Sequence, residues 1–190
     1  MKIKVDEKFT YIGRFDFEIA ALSDEWPKSV RGSAIAQGER FIFAQADTEQ
    51  KIEKLFIVQF EGFRPDNDFT YNYNFQNAER IGNNQYRHNT WFYNTGENAR
   101  QNPQNGGAKT MQFLRERGFQ VEDELMMSRF VGLASPDRRH EIILYHLEML
   151  QPTTGYTLAD WQSLVLAEVA RRIEAAFLAR SRKSFVIIEG

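Results

Sequence analysis

The chain has 190 residues, with 24 Lys and Arg against 26 Asp and Glu, a formal net charge of −2 and no cysteine. Near charge balance removes the basic surplus that binding to nucleic acid or an anionic membrane requires, and the lack of thiols removes disulfide frameworks, thiolate metal centres and cysteine nucleophiles. Hydrophobic residues at 42% and charged residues at 26% are the proportions of a folded chain, and the length predicts one domain spanning 1–190.

The opening residues, Met1 to Lys8, have no apolar core and do not read as a signal peptide. The longest unbroken apolar run is five residues, Ala175 to Ala179, far short of the ~20 that cross a bilayer. The cytoplasm is the default compartment, although an exported mature chain is equally compatible with a thiol-free sequence.

Residues 9–19 alternate, with Phe9, Tyr11, Gly13, Phe15, Phe17 and Ile19 on one side and Thr10, Arg14, Asp16 and Glu18 among those on the other. That period of two predicts a half-buried strand. Short strands follow at 40–44 and 54–63, the second with Phe56, Val58 and Phe60 opposite Leu55, Ile57, Gln59 and Glu61. Pro65-Asp66-Asn67-Asp68 supplies a turn. Residues 69–76 then show the clearest alternation in the chain, Phe69, Tyr71, Tyr73 and Phe75 against Thr70, Asn72, Asn74 and Gln76. After Gly82-Asn83-Asn84, another strand is predicted over 86–93.

Residues 94–107 read as a polar loop and 108–117 as a short helix that Gly118 ends in the left-handed conformation. Two segments, 126–134 and 140–150, flank Ser135-Pro136-Asp137-Arg138. That tetrapeptide suits a type I turn or a helix start. The alternation of Ile143, Tyr145, Leu147 and Met149 favours a hairpin. A two-residue loop would pair Ser135 with Arg138, placing Arg129 opposite Leu144 and Met127 opposite His146. Thr157-Leu158-Ala159-Asp160 resembles a capping box, and Trp161, Val165, Val169, Ile173 and Phe177 recur every four residues. They predict one long helix over 158–182, and 185–188 closes the chain as a strand. The expected fold is α+β: a mostly antiparallel β-sheet, a long C-terminal helix packed on one face and a second short helix.

All eleven asparagines fall between Asn67 and Asn105, in a window that also holds eight aromatic residues. Asn offers uncharged donors and an acceptor, and aromatic faces stack on flat ligands. The window therefore predicts a neutral polar, sugar-like ligand or a protein partner, with Asn72, Asn74, Asn89, Trp91 and Asn94 as contacts. The competing reading assigns these asparagines to turns and solvent. Nucleic acid is disfavoured because Asp68, Glu79 and Glu97 offset Arg80, Arg87 and Arg100. An unpaired edge strand would permit self-association into a homo-oligomer.

Three weaker sites complete the reading. His146 and Glu148 share a strand face, and with Arg129 on the paired strand they would suit a hydrolase in which His146 is the general base, Glu148 orients it and Arg129 stabilises negative charge. Asp16 and Glu18 share a face at a spacing near that of glycosidase carboxylates but are predicted to face water. Asn105-Gly106-Gly107-Ala108-Lys109-Thr110 lacks the glycine spacing of a phosphate-binding loop because Pro103 and Ala108 occupy the required positions. As a helix start it leaves Gly106, Gly107 and Lys109 as an anion site. His140 and His146 would lie roughly 20 Å apart on a strand, so no metal site is predicted, and no cofactor is called for. The sequence as a whole predicts a soluble non-enzymatic binding or accessory domain, with the hydrolase as the alternative.

Overall fold

A computed structural model describes residues 2–76 and 78–188; Asn77, one asparagine of the window, lies outside them. In chain order the first half contains β1 (Lys2–Val5), β2 (Thr10–Ala20), β3 (Ala34–Ala46), β4 (Ile52–Phe63), β5 (Glu79–Ile81) and β6 (Asn84–Asn94). The helices α1 (Thr95–Gln101) and α2 (Gly106–Arg115) follow, then β7 (Glu124–Leu133), β8 (His140–Met149), α3 (Leu150–Thr154), α4 (Leu158–Ser163), α5 (Ala167–Lys183) and β9 (Phe185–Ile188). The architecture is mixed α+β. Seven strands form a sheet in the order β2-β3-β4-β8-β7-β6-β5, and β1 pairs with β9 apart from it. Each of these pairings is antiparallel.

Strand register assigns every side chain to a face. The first face carries Ile42 and Ala44 of β3, Leu55 and Ile57 of β4, Leu147 of β8 and Met127 of β7. These residues cluster with Met111, Phe113 and Leu114 of α2. The second face carries Phe56, Val58, Leu144 and Phe130, which cluster with Phe9 and Phe185. Phe177 of α5 is fully buried beside Met126 and Leu150, with Trp161 and Ile173 packed against them.

Four sequence expectations change. Residues 69–75 are extended and alternate in burial as expected, yet they form no strand. Their backbone bonds instead to the β7–β8 turn: Tyr71 N–H donates to Arg138 O at 2.8 Å, and Arg138 Nε donates to Tyr71 O at 2.9 Å. The aromatic side chains find cover through Phe63, whose ring centroid lies 4.5 Å from that of Tyr71. The polar loop 94–107 contains α1, because the Asn94 side chain caps it by accepting from Glu97 N–H at 3.0 Å.

The single helix over 158–182 is two. Thr157 and Asp160 form the capping box, but α4 ends at Ser163 and α5 begins at Ala167 after an extended Leu166. Residues repeating every four drift by about 40° per repeat around a 3.6-residue helix. A straight helix would carry Trp161 and Phe177 to different sides, and the break allows both to join one cluster. Val169 is only half-buried.

The fourth change is the register of the β7–β8 hairpin. Ser135 O accepts from Arg138 N–H at 3.2 Å, as a type I turn requires, but Arg138 then adopts a φ of +60°. A type I turn followed by a left-handed residue is a three-residue hairpin loop. The added residue slips the pairing by one, so Arg129 opposes Tyr145 and Ser128 opposes His146. A one-residue slip exchanges faces. Arg129 accordingly lies on the first face, whereas His146 and Glu148 lie on the second.

Candidate functional site

In a sheet covered by an amphipathic helix the shared face is expected to be apolar. Here the first face is interrupted by a row of polar side chains. Arg40 on β3, only 5% exposed, donates from Nε to Gln59 Oε1 at 2.5 Å and from Nη1 to Thr110 Oγ1 at 2.6 Å. It also donates to the Gly106 carbonyl. Gln59 in turn donates to Glu61, and Glu141 accepts from the Tyr73 hydroxyl. Burial, followed by a hydrogen bond with Glu61, pushes the Glu141 carboxyl up to about 8. At pH 7 that carboxyl therefore favours its protonated form.

Gly106 opens α2, whose N-cap is Asn105, accepting from Ala108 N–H at 2.7 Å. A β-carbon at Gly106 would lie 2.5 Å from Arg40 Nη2, so glycine is what lets the helix start close over the guanidinium. Between this helix start and the sheet is a cavity of about 270 Å³. Its walls include Arg40, Arg129, Trp91, Tyr93, Asn98, Asn105, Gly107 and Tyr145. The Arg129 guanidinium carbon sits 5.3 Å from the Trp91 ring centroid, a cation–π distance. Its Nε is buried without a hydrogen-bond partner among the described residues. Burial pushes the Tyr93 and Tyr145 hydroxyls up, so both remain protonated donors.

A wider cleft of about 770 Å³ lies at the Glu61–Glu141 end of the polar row and includes Asp16, Glu18, Glu39 and His140. Asp16 and Glu18 are exposed, as their alternation with Phe15 and Phe17 predicts.

Of the ligand contacts expected from sequence, Trp91 lines the 270 Å³ cavity and Asn89 is exposed on the next inward position of β6, opposite Arg129. Asn94 is occupied as the α1 cap. Asn72 and Asn74 are exposed on the 69–75 segment, where Asn74 accepts from Gln76 N–H at 2.8 Å. These five residues do not converge. Gly106 and Gly107 line the cavity, and Lys109 does not. Turn and cap bonds also occupy Asn67, Asn102 and Asn105.

The hydrolase residues are divided. His146 and Glu148 do meet, His146 Nε2 lying 3.0 Å from Glu148 Oε1 and His146 Nδ1 lying 2.7 Å from Ser184 Oγ. Burial pushes His146 down, so the neutral ring donates to Glu148 and accepts from Ser184. Both side chains are nearly inaccessible, at 2% and 0%, and Arg180 binds Glu148 through Nε and Nη2. The set joins β8 to α5 and to its C-cap, Ser184. Arg129 lies across the sheet from it.

Compared with models of protein families, with curated proteins and with solved structures, the chain matches none. Among the described residues, no helix is long and apolar enough to cross a membrane.

Proposed function

We propose that this chain is a ligand-binding or accessory domain whose site is the cavity between the start of α2 and the first face of the sheet. One observation carries the reading: a concave space walled by Trp91, Tyr93 and Tyr145 in which the Arg129 Nε has no hydrogen-bond partner among the described residues, built on rigid strands and a capped helix. A cavity of roughly 150 Å³ accommodates a benzene ring. The 270 Å³ space therefore suits a small ring-sized polar molecule better than a glycan chain. A thermal-shift and tryptophan-emission screen of small polar metabolites is expected to find a ligand that raises the melting temperature and quenches emission. Trp91→Phe should abolish the quenching, because Trp26 and Trp161 lie outside the cavity. Quenching that survives Trp91→Phe would contradict the assignment.

On this reading α5 is the cover of the second face, held by Phe177 and by its bonds to Glu148 and His146. Phe177→Ala should cost about 3–5 kcal/mol in urea unfolding. A loss below about 1 kcal/mol would place α5 off the sheet.

A further inference from the structure

Resting on the cavity as the ligand site, we infer that its ligand is a small planar molecule carrying an oxyanion, a carboxylate or a phosphate, which Arg129 holds beside the Trp91 ring. Two guanidinium groups line the cavity and no Asp or Glu does. Among the described residues no carboxylate lies within 4.0 Å of the nitrogens of either arginine. The partners of Arg40 are neutral acceptors: an amide oxygen, a hydroxyl and a backbone carbonyl. The nearest acids lie one step further off. Glu61 attracts Arg40 from beyond Gln59, and Glu141, which faces Arg129, is pushed up to about 8 by burial.

Cations withdrawn from water are costly unless a counter-charge and hydrogen bonds replace their hydration. Arg40 has the hydrogen bonds but no carboxylate in contact, Glu61 acting on it only at longer range. Arg129 is only half-buried, but it rests on a ring face at 5.3 Å and its buried Nε has no acceptor among the described residues. A guanidinium presents parallel N–H donors that match the two oxygens of a carboxylate or phosphate. Its Nε is the donor left over at this site. The ring on which Arg129 rests offers a flat apolar wall to the body of the ligand, and the cavity volume limits that body to about one ring.

The experiment uses the full chain and three probes of similar size, benzoate, phenyl phosphate and uncharged benzamide, read by melting temperature and Trp91 emission. At least one anionic probe is expected to bind tenfold or more tightly than benzamide and to weaken as salt rises. Benzoate against phenyl phosphate distinguishes the two oxyanions. Arg129→Gln should reduce anion affinity at least tenfold without changing benzamide affinity, and Arg129→Lys, which keeps charge and stem, should restore part of it. Benzamide binding as tightly as both anions, or anion affinity unchanged in Arg129→Gln, would overturn the oxyanion while leaving the cavity as the site. Failure of all three probes to bind at about 10 mM, well above a millimolar Kd, would overturn the cavity reading as well.

Discussion

Replacing Glu148 by Ala is expected to destabilise the protein by about 3 kcal/mol, because it breaks a buried ion pair. Glu148 is fully buried and is the common acceptor for His146 Nε2 at 3.0 Å and for Arg180 Nε and Nη2 at 2.9 and 2.7 Å, with Lys54 Nζ at 3.7 Å. Its removal leaves His146 with a buried donor and no acceptor. The figure belongs at the low end for a broken buried pair, because the Arg180 side chain is 37% exposed and can rehydrate. Burial alone would raise this carboxyl, but the His146 and Arg180 hydrogen bonds outweigh it and hold the group at about 2, below its ordinary 4.5. Because the folded value is the lower one, the contribution is present above about pH 4.5 and is lost as pH falls toward 2. Urea unfolding from pH 7 to pH 3 should therefore show a steeper acid-side loss in the wild type than in Glu148→Ala. Parallel curves would contradict the ion-pair account.

Glu141→Gln should act in the opposite direction. Burial and the Glu61 hydrogen bond hold the Glu141 carboxyl at about 8, against an ordinary 4.5. The folded value is the higher one, so the stability attached to the bound proton is complete below about pH 4.5 and is lost as pH rises through 8. The groups facing Glu141 are Glu61 on β4, Arg129 on β7 and Tyr73 in the extended segment. Tyr145 and Tyr71 complete the set. Of these, Glu61 and burial oppose ionisation, while Arg129 and the Tyr73 hydroxyl favour it. Glutamine keeps the shape of the neutral acid and never ionises. The variant should match the wild type within about 1 kcal/mol at pH 5 and exceed it by roughly 2–5 kcal/mol at pH 9. An unchanged difference between the two pH values would mean that Glu141 is not held protonated in the fold.

Strands were the most legible part of the chain, since the patterns that placed β2, β4, β6 and β8 need only local information. The same alternation in 69–75 could not show that its backbone would find one turn rather than a neighbouring strand, because pairing is a long-range choice. The hairpin around Pro136 was visible and its register was not. The left-handed residue after the turn is Arg138, where Gly or Asn would have announced a three-residue loop. That one residue decides on which face Arg129 lies.

The cavity was legible in pieces. Trp91, Arg129, Gly106 and Gly107 each carried a sequence-level reason to be singled out, but for three separate sites. They become neighbours only through the strand order β3-β4-β8-β7-β6 and the placement of α2 over that face. Arg40 and Gln59 were missed, although one signal was present. Along β3 the inward positions run Arg40, Ile42, Ala44, and along β4 they run Leu55, Ile57, Gln59. A charge or amide in an otherwise apolar inward row marks a polar interior. The asparagine window misled for a physical reason: most of its members whose bonds are described satisfy local backbone at caps and turns.

The most direct test of the cavity as the binding site is two-dimensional NMR of the full chain titrated with phenyl phosphate, following backbone amides, tryptophan indoles and arginine Nε–H groups. The account predicts that the largest shifts fall on the Trp91 indole, Arg129 Nε and the Gly106 and Gly107 amides, with the Trp26 and Trp161 indoles unmoved. Largest shifts in the 69–75 segment or around Asp16, Glu18 and His140 would place binding elsewhere and contradict it.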